Sequence, residues 1–123
     1  MSPSTRDIVA HRLRHLREYL SDLRSHREIT WEEFSRDKVV RRFIERTLHL
    51  ATECCIDVGN HLITAGGYRE PEGNRDIFQV LDEAGVLPSE LAAKMKDMGS
   101  FRNIIVHDYT RVDPAVVYGI LQK

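Results

Sequence analysis

Leucines at positions 13, 16, 20 and 23 follow a 3-4-3 rhythm, with Ile8 and Val9 a turn or more ahead of them and arginine and glutamate on the remaining faces. That spacing predicts an amphipathic helix of about 20 residues. Thr30 ahead of Trp31-Glu32-Glu33 has the capping-box pattern and predicts a short helical turn, whose Trp31 and Phe34 would close one end of the core. From about Asp37, the positions Val40, Ile44, Thr47, Ala51, Cys54, Val58, Leu62 and Ala65 advance by alternating fours and threes. The helix this predicts is about 45 Å long at about 1.5 Å per residue, and Gly66-Gly67 ends it. Tyr68 to Asn74 has loop composition. Arg75 to Val86 reads as a shorter helix with Ile77, Val80, Leu81 and Ala84 inward. Pro88-Ser89-Glu90 opens a fourth main helix with Leu91, Met95, Met98 and Ile105 on one side. Asp113-Pro114 opens a last, short helix from Ala115 to Leu121.

The chain shows no β alternation, internal repeat or low-complexity tract, so the expected fold is all-α, an up-and-down helical bundle with a long second helix. At 123 residues it is expected to be one domain, 1–123. It is 41% hydrophobic and 30% charged, and no apolar run approaches the roughly 18 to 20 residues of a membrane span. The N-terminus interleaves arginine with its apolar residues, which marks a helix and not a signal peptide. Cys54 and Cys55 are adjacent and lack a C-x-x-C partner, so buried free thiols in a reducing cytoplasm are expected, with no disulfide and no zinc. The net charge of −1 hides an asymmetry. Residues 1–46 carry 11 Lys/Arg against 8 Asp/Glu, and residues 47–123 carry 7 against 11. This polarity suits a partner bearing phosphates or a basic partner equally.

Several polar groups invite a chemical reading. Glu45, His49, Glu53, Asp57 and His61 are spaced by fours along the long helix. Each step of four drifts by about 40° around the axis, so the row is not one face and reads as neighbouring charge pairs rather than a metal ladder. His11 and His15 are also four apart, but Arg12, Arg14 and Arg17 surround them and oppose a divalent cation. In the segment from Glu53 to Ile63, Asp57, Asn60 and His61 interrupt an apolar stripe. Gly59 sits there in mid-helix at a cost of about 1 kcal/mol. Either a second helix packs closely on Gly59, or Asp57 and Asn60 form a hydrogen-bonding shelf beneath a site.

The sharpest signal is FRNIIVHDYT, Phe101 to Thr110. Arg102 supplies a planar guanidinium suited to phosphate, and His107 can carry a proton near neutral pH. Together they are the minimum for metal-free RNA cleavage. One histidine per chain serves one proton role at a time, which invites a two-fold dimer with two copies of the motif facing one groove. Residues five apart on an unbroken helix point about 140° from one another. Either the helix ends near Val106, or the site is completed across chains. Tyr109, seven residues from Arg102, would share its face if the helix ran on. An ion pair at the helix end with Asp108 is the structural alternative.

Arg102-Asn-Ile-Ile-Val-His107-Asp-Tyr109 matches the R-x4-H-x-Y signature of HEPN-domain proteins, and the chain resembles the HepT branch of toxin–antitoxin systems. The order of features from Val40 onward is similar too, over some two-thirds of the chain. The resemblance implies a homodimeric HEPN fold whose paired motifs form a metal-independent endoribonuclease groove acting on tRNA or mRNA, without a cofactor. Arg102 and His107 would be catalytic and Asn103 a polar neighbour. Asp57 and Asn60 match supporting polar positions. The implied partners are RNA and an MntA-like nucleotidyltransferase antitoxin, which would attach AMP to Tyr109, and the implied location is cytoplasmic. The short final helix departs from the family pattern and bears on the C-terminal part of the dimer surface. Two other classes remain: a non-catalytic HEPN nucleotide-binding or accessory subunit of a minimal nucleotidyltransferase, and a helical dimerisation protein with a structural motif. Retention of both Arg102 and His107 weighs against the former.

Overall fold

The computed structural model describes residues 4–107 and 118; for residue 5 and residues 101–107 it describes the helical path alone. The described residues form five helices and no strand: α1 (Thr5–Ser25), α2 (Trp31–Arg36), α3 (Lys38–Gly66), α4 (Asn74–Glu83) and α5 (Ser89–His107). The all-α bundle read from the pattern is therefore the fold. The final helix expected at 115–121 lies outside the described residues except for Tyr118.

Short polar side chains start three of these helices. Ser4, Thr30 and Asp37 accept from the backbone N–H groups of Asp7, Glu33 and Val40, respectively. Each removes one of the donors that a helix start leaves without a partner. At the end of α3, Gly67 takes up the left-handed region at φ 66. Its N–H donates to the Thr64 carbonyl and that of Tyr68 to the Ile63 carbonyl, a Schellman stop.

Helix α1 runs antiparallel to α3. Arg12 meets Asp57 in the C-terminal half of α3, while Leu23 packs with Ile44 and Leu48 in its N-terminal half. Helices α4 and α5 form a second antiparallel pair. Ser89 donates to Asp82 at 2.8 Å, Lys96 to Gln79, and Arg75 to Asp97 at 3.4 Å. A Cβ on Gly99 of α5 would lie 3.0 Å from the Asn74 carbonyl oxygen, so backbone fills the space beside it.

Two apolar clusters hold the bundle. The first joins Phe34, Ile44 and Leu48 with Leu23, Ile29, Val40 and Tyr118. Trp31, Phe34 and Tyr118 form an aromatic group with centroids 5.5 to 6.1 Å apart, and the Tyr118 hydroxyl donates to the Ile29 carbonyl at 2.9 Å. The second cluster joins Ile56 and Ile63 of α3 to Ile77, Phe78, Val80 and Leu81 of α4.

The core line departs from the expected stripe in three places. On α3 the buried positions are Ile44, Thr47, Leu48 and Ala51, then Thr52, Ile56, Gly59 and Ile63. Cys54, Val58 and Leu62 are half-buried and Ala65 is exposed. The buried direction turns around α3 because, beside α1, its first half packs on α2 and Tyr118 and its second half on α4. On α1, Leu16 and Leu23 face inward but Leu13 and Leu20 are exposed, since the inward sector is centred near Arg12 and Leu16. On α5, Ala92 and Gly99 are buried while Leu91 is exposed, because small residues let α4 come close. Both cysteines are half-buried rather than buried; burial pushes the Cys55 thiol up to about 11, and Cys54 is raised for the same first reason.

Gly59 faces α4 so closely that a Cβ there would lie 2.6 Å from Ile77 Cγ2. Gly59→Ala gains up to about 1 kcal/mol of helix propensity but overpacks a core contact at about 1 to 3 kcal/mol. The expected outcome is net destabilisation, read as a lower urea midpoint with an unchanged slope.

The loop after α3 is tied down by charge. Arg69 donates to both Asp76 oxygens at 2.7 and 2.9 Å and to Glu83 at 2.8 Å, and Asp76 also accepts from the Glu72 N–H. The Arg69 bond, then the Glu72 N–H, hold the Asp76 carboxyl down to about 2. A depressed carboxyl contributes stability above its unfolded value and loses it as pH falls through the folded one. The clamp is therefore expected to persist until about pH 2, and the carboxyl of Asp76, followed by NMR, should return towards its ordinary range in Arg69→Ala.

Candidate active site

The residues singled out by the sequence fall on two helices. Arg102, Asn103 and His107 belong to α5, which continues without a break through His107. The described helix thus takes in both Arg102 and His107. A step of five residues on this helix separates the positions of Arg102 and His107 by about 140° around the axis. Tyr109 and Asp108 lie outside the described residues. Helix α5 is itself seated on α4 through Met95 and Gly99, and the motif follows that packed stretch along the same helix.

Asp57, Asn60 and His61 belong to α3, and there the outcome is mixed. Gly59 between them is the close-approach point for α4. Asp57 instead faces α1: its Oδ2 lies 2.6 Å from Arg12 Nε. The two groups meet off the hydrogen-bonding axis, so Oδ2 accepts no hydrogen bond and the contact is ionic. His61 Nε2 lies 3.7 Å from the other Asp57 oxygen. Asn60 is exposed. Asp57 is therefore held between a guanidinium and an imidazole at the α1–α3 seam, and Asn60 stands at the surface beside it.

The row of fours resolves into pairs, as its drift requires. His49 and Glu53 are 3.5 Å apart and Asp57 and His61 3.7 Å. Both distances exceed a good hydrogen bond, and at such exposed positions a pair contributes roughly 0 to 1 kcal/mol. Glu45 at the head of the row is half-buried; desolvation raises its carboxyl against the lowering effect of Arg41 and Arg42. On α1 the Nε2 atoms of His11 and His15 are 3.2 Å apart, with Tyr19 stacked on His15. Among the described residues no three His, Cys, Asp or Glu side chains converge as metal ligands.

Two residues with structural weight are absent from the sequence-based site. Arg12 looked like one of several arginines around the histidines, yet it lies between the inward-facing positions of α1, which is the pattern that would have marked it. Tyr118, eleven residues beyond His107, packs against Trp31 and Phe34 of α2 and donates to the Ile29 carbonyl, a link between distant segments that no local pattern carries.

A five-helix bundle with an R-x4-H motif near the end of its last described helix defines a HEPN-type protein. Residues 16–123 match the family described as Ribonuclease HepT-like, and the chain belongs to that family. It is similar to the mRNA nuclease HepT of Shewanella oneidensis, 29% identical over 90 residues, which cover 73% of this chain and 68% of that one. It is also similar to the tRNA nuclease HepT of Aphanizomenon flos-aquae, 27% identical over 111 residues, covering 90% and 76% of the two chains. Among solved structures, the fold matches the tri-AMPylated HEPN toxin of Shewanella oneidensis in complex with its MNT antitoxin. That match has a TM-score of 0.82 at 24% identity and covers 94% of this chain and 86% of the other. No helix among the described residues is long and apolar enough to cross a membrane.

Proposed function

We propose that this chain is a metal-independent endoribonuclease toxin, a single HEPN domain over residues 1–123 that works as a homodimer in the cytoplasm. The observation that carries this reading is the R-x4-H-x-Y motif, Arg102 to Tyr109, beginning on α5 of a chain that belongs to the HepT-like ribonuclease family.

The reaction follows from the two side chains. A general base takes the proton of a ribose 2′-hydroxyl, whose oxygen attacks the adjacent phosphorus. The bond from phosphorus to the 5′-oxygen breaks, and a general acid protonates that leaving oxygen. The products are a 2′,3′-cyclic phosphate and a free 5′-hydroxyl. Arg102 balances the charge that gathers on the phosphoryl oxygens in the transition state, and His107 fills one proton role per chain. The helical register supports the dimer, since 140° on one unbroken helix sets the two positions apart, whereas a two-fold axis can bring Arg102 of one protomer to His107 of the other. Asn103 shapes the site, and Asp57 and Asn60 support it from α3. The substrate is an mRNA or tRNA, the two classes named for the relatives.

The partner is an MntA-like nucleotidyltransferase antitoxin, by likeness to the tri-AMPylated toxin bound to its MNT antitoxin. In the transfer, the Tyr109 phenol oxygen attacks the α-phosphate of ATP, pyrophosphate leaves, and the phenol proton passes to a base. The anion so formed near Arg102 would occupy the phosphate position and repel RNA.

Purified protein is expected to cleave RNA in excess EDTA, with His107→Ala slowing cleavage by at least about 10²; undiminished cleavage by a correctly folded variant would remove the assignment. After incubation with such a nucleotidyltransferase and ATP, intact mass should show added AMP on the wild type and none on Tyr109→Phe. That variant should also keep its nuclease activity where the wild type loses it. AMP found equally on Tyr109→Phe would place the modification elsewhere.

A further inference from the structure

Helix α1 carries arginines on two sides, and only the inner side is neutralised. Arg12 faces α3 and pairs with Asp57. On the outer side, at about 100° per residue, Arg6, Arg14, Arg17 and Arg24 fall within one sector about 80° wide. All four are exposed, and none belongs to an ion pair among the described residues. Leu13 and Leu20 border the sector and are 42% and 38% exposed. The sector contains no aspartate or glutamate; Asp7 and Glu18 fall just past its edge.

Two arginines elsewhere on the surface, Arg69 and Arg75, are paired with carboxylates. Arg69 is shared by two carboxylates, and α3 sets His49 against Glu53 and Asp57 against His61. Outer α1 does the opposite. Arg14 and Arg17, three residues apart, are like-charged neighbours, which an isolated helix resists. The row extends about 27 Å from Arg6 to Arg24 at about 1.5 Å per residue, and its guanidiniums are of the kind suited to phosphate oxygens.

We propose that the outer face of α1 is a phosphate-tracking surface that holds the RNA substrate beyond the cleavage site. The proposal rests on the ribonuclease reading above and names where that substrate is gripped. RNA fits this face better than an acidic protein does, because a polyanion of regular spacing needs only a row of cations. A protein partner would need individually matched polar groups, and the sector offers few besides its arginines. The four arginines are positioning residues and take no part in the bond-breaking step. Four of the 11 basic residues in 1–46 thereby acquire a role.

The test compares the wild-type full-length chain with a variant combining Arg14→Gln, Arg17→Gln and Arg24→Gln. Binding is measured by fluorescence anisotropy to a 2′-O-methyl oligonucleotide of about 12 nucleotides, a length within single-strand site sizes, which lacks the attacking hydroxyl. Loss of three phosphate contacts is expected to make the slope of log affinity against log salt shallower by about 2. On cleavable RNA, KM should rise with little change in kcat. An unchanged salt slope in a folded variant overturns the proposal, whether or not the protein cleaves RNA. So does a variant that becomes monomeric, which would make this face a subunit contact, or one that loses only its hold on the antitoxin. Wild-type binding with the expected slope change but without cleavage would sink the nuclease reading and leave the surface standing.

Discussion

The absence of a side chain at Gly59 governs how the rest of the bundle is arranged. Ile77 of α4 occupies the space a Cβ would take, and Leu81 lies at contact distance beside it. Through this contact α4 buries Ile77, Phe78, Val80 and Leu81 against Ile56 and Ile63, each burial being favourable by about 1.5 to 3 kcal/mol. Helix α5 in turn takes its register from α4, by way of Gly99 against the Asn74 backbone and the polar contacts of Lys96 and Ser89. The motif helix is thus placed relative to α3 largely through an intermediary.

Helix α3 carries α1 along both its halves and changes its other neighbour from α2 to α4 part-way, and this explains which parts of the fold were legible. Its start and stop are local events, a capping Asp37 and a left-handed Gly67, and both could be read from the residues. Its first buried residues, Ile44 to Ala51, also followed the expected stripe. The second half followed it only in part: Leu62 packs against the α4 cluster, but Cys54 and Val58 are only half-buried, and α4 approaches from the side of Ile56, Gly59 and Ile63. Periodicity reveals that a helix has an inner face. It does not reveal that the face turns when the packing partner changes. Thr52 shows the limit well: it is buried with its hydroxyl donated to the Leu48 carbonyl, a way of removing a polar group that leaves no trace in sequence.

Charge was legible in kind and not in place. The row of fours on α3 was read as pairs and forms pairs. The asymmetry of the N-terminal third was visible as a number, but composition cannot distinguish an arginine facing a carboxylate from one facing solvent. Arg12 and Arg14 differ by two residues and hence by about 200° around α1. One turns inward to Asp57 and the other outward. The loop arginine, Arg69, gave no sequence signal at all, since its partners lie seven and fourteen residues away on the next helix.

The candidate site divides along the same line. The chemistry of R-x4-H-x-Y is written within eight residues, so it could be recognised before any packing was known. Its geometry is not local. A helix continuous through His107 holds the arginine and histidine positions about 140° apart around its axis. Asp57 and His61 offer a contrasting carboxylate and imidazole on α3, but they stand 3.7 Å apart and the carboxylate is already committed to Arg12. An acid–base function there would have to break the contact that ties α1 to α3. Under the proposed two-fold arrangement the angular separation is no obstacle, because the arginine position of one α5 and the histidine position of the other can flank one phosphodiester across the axis.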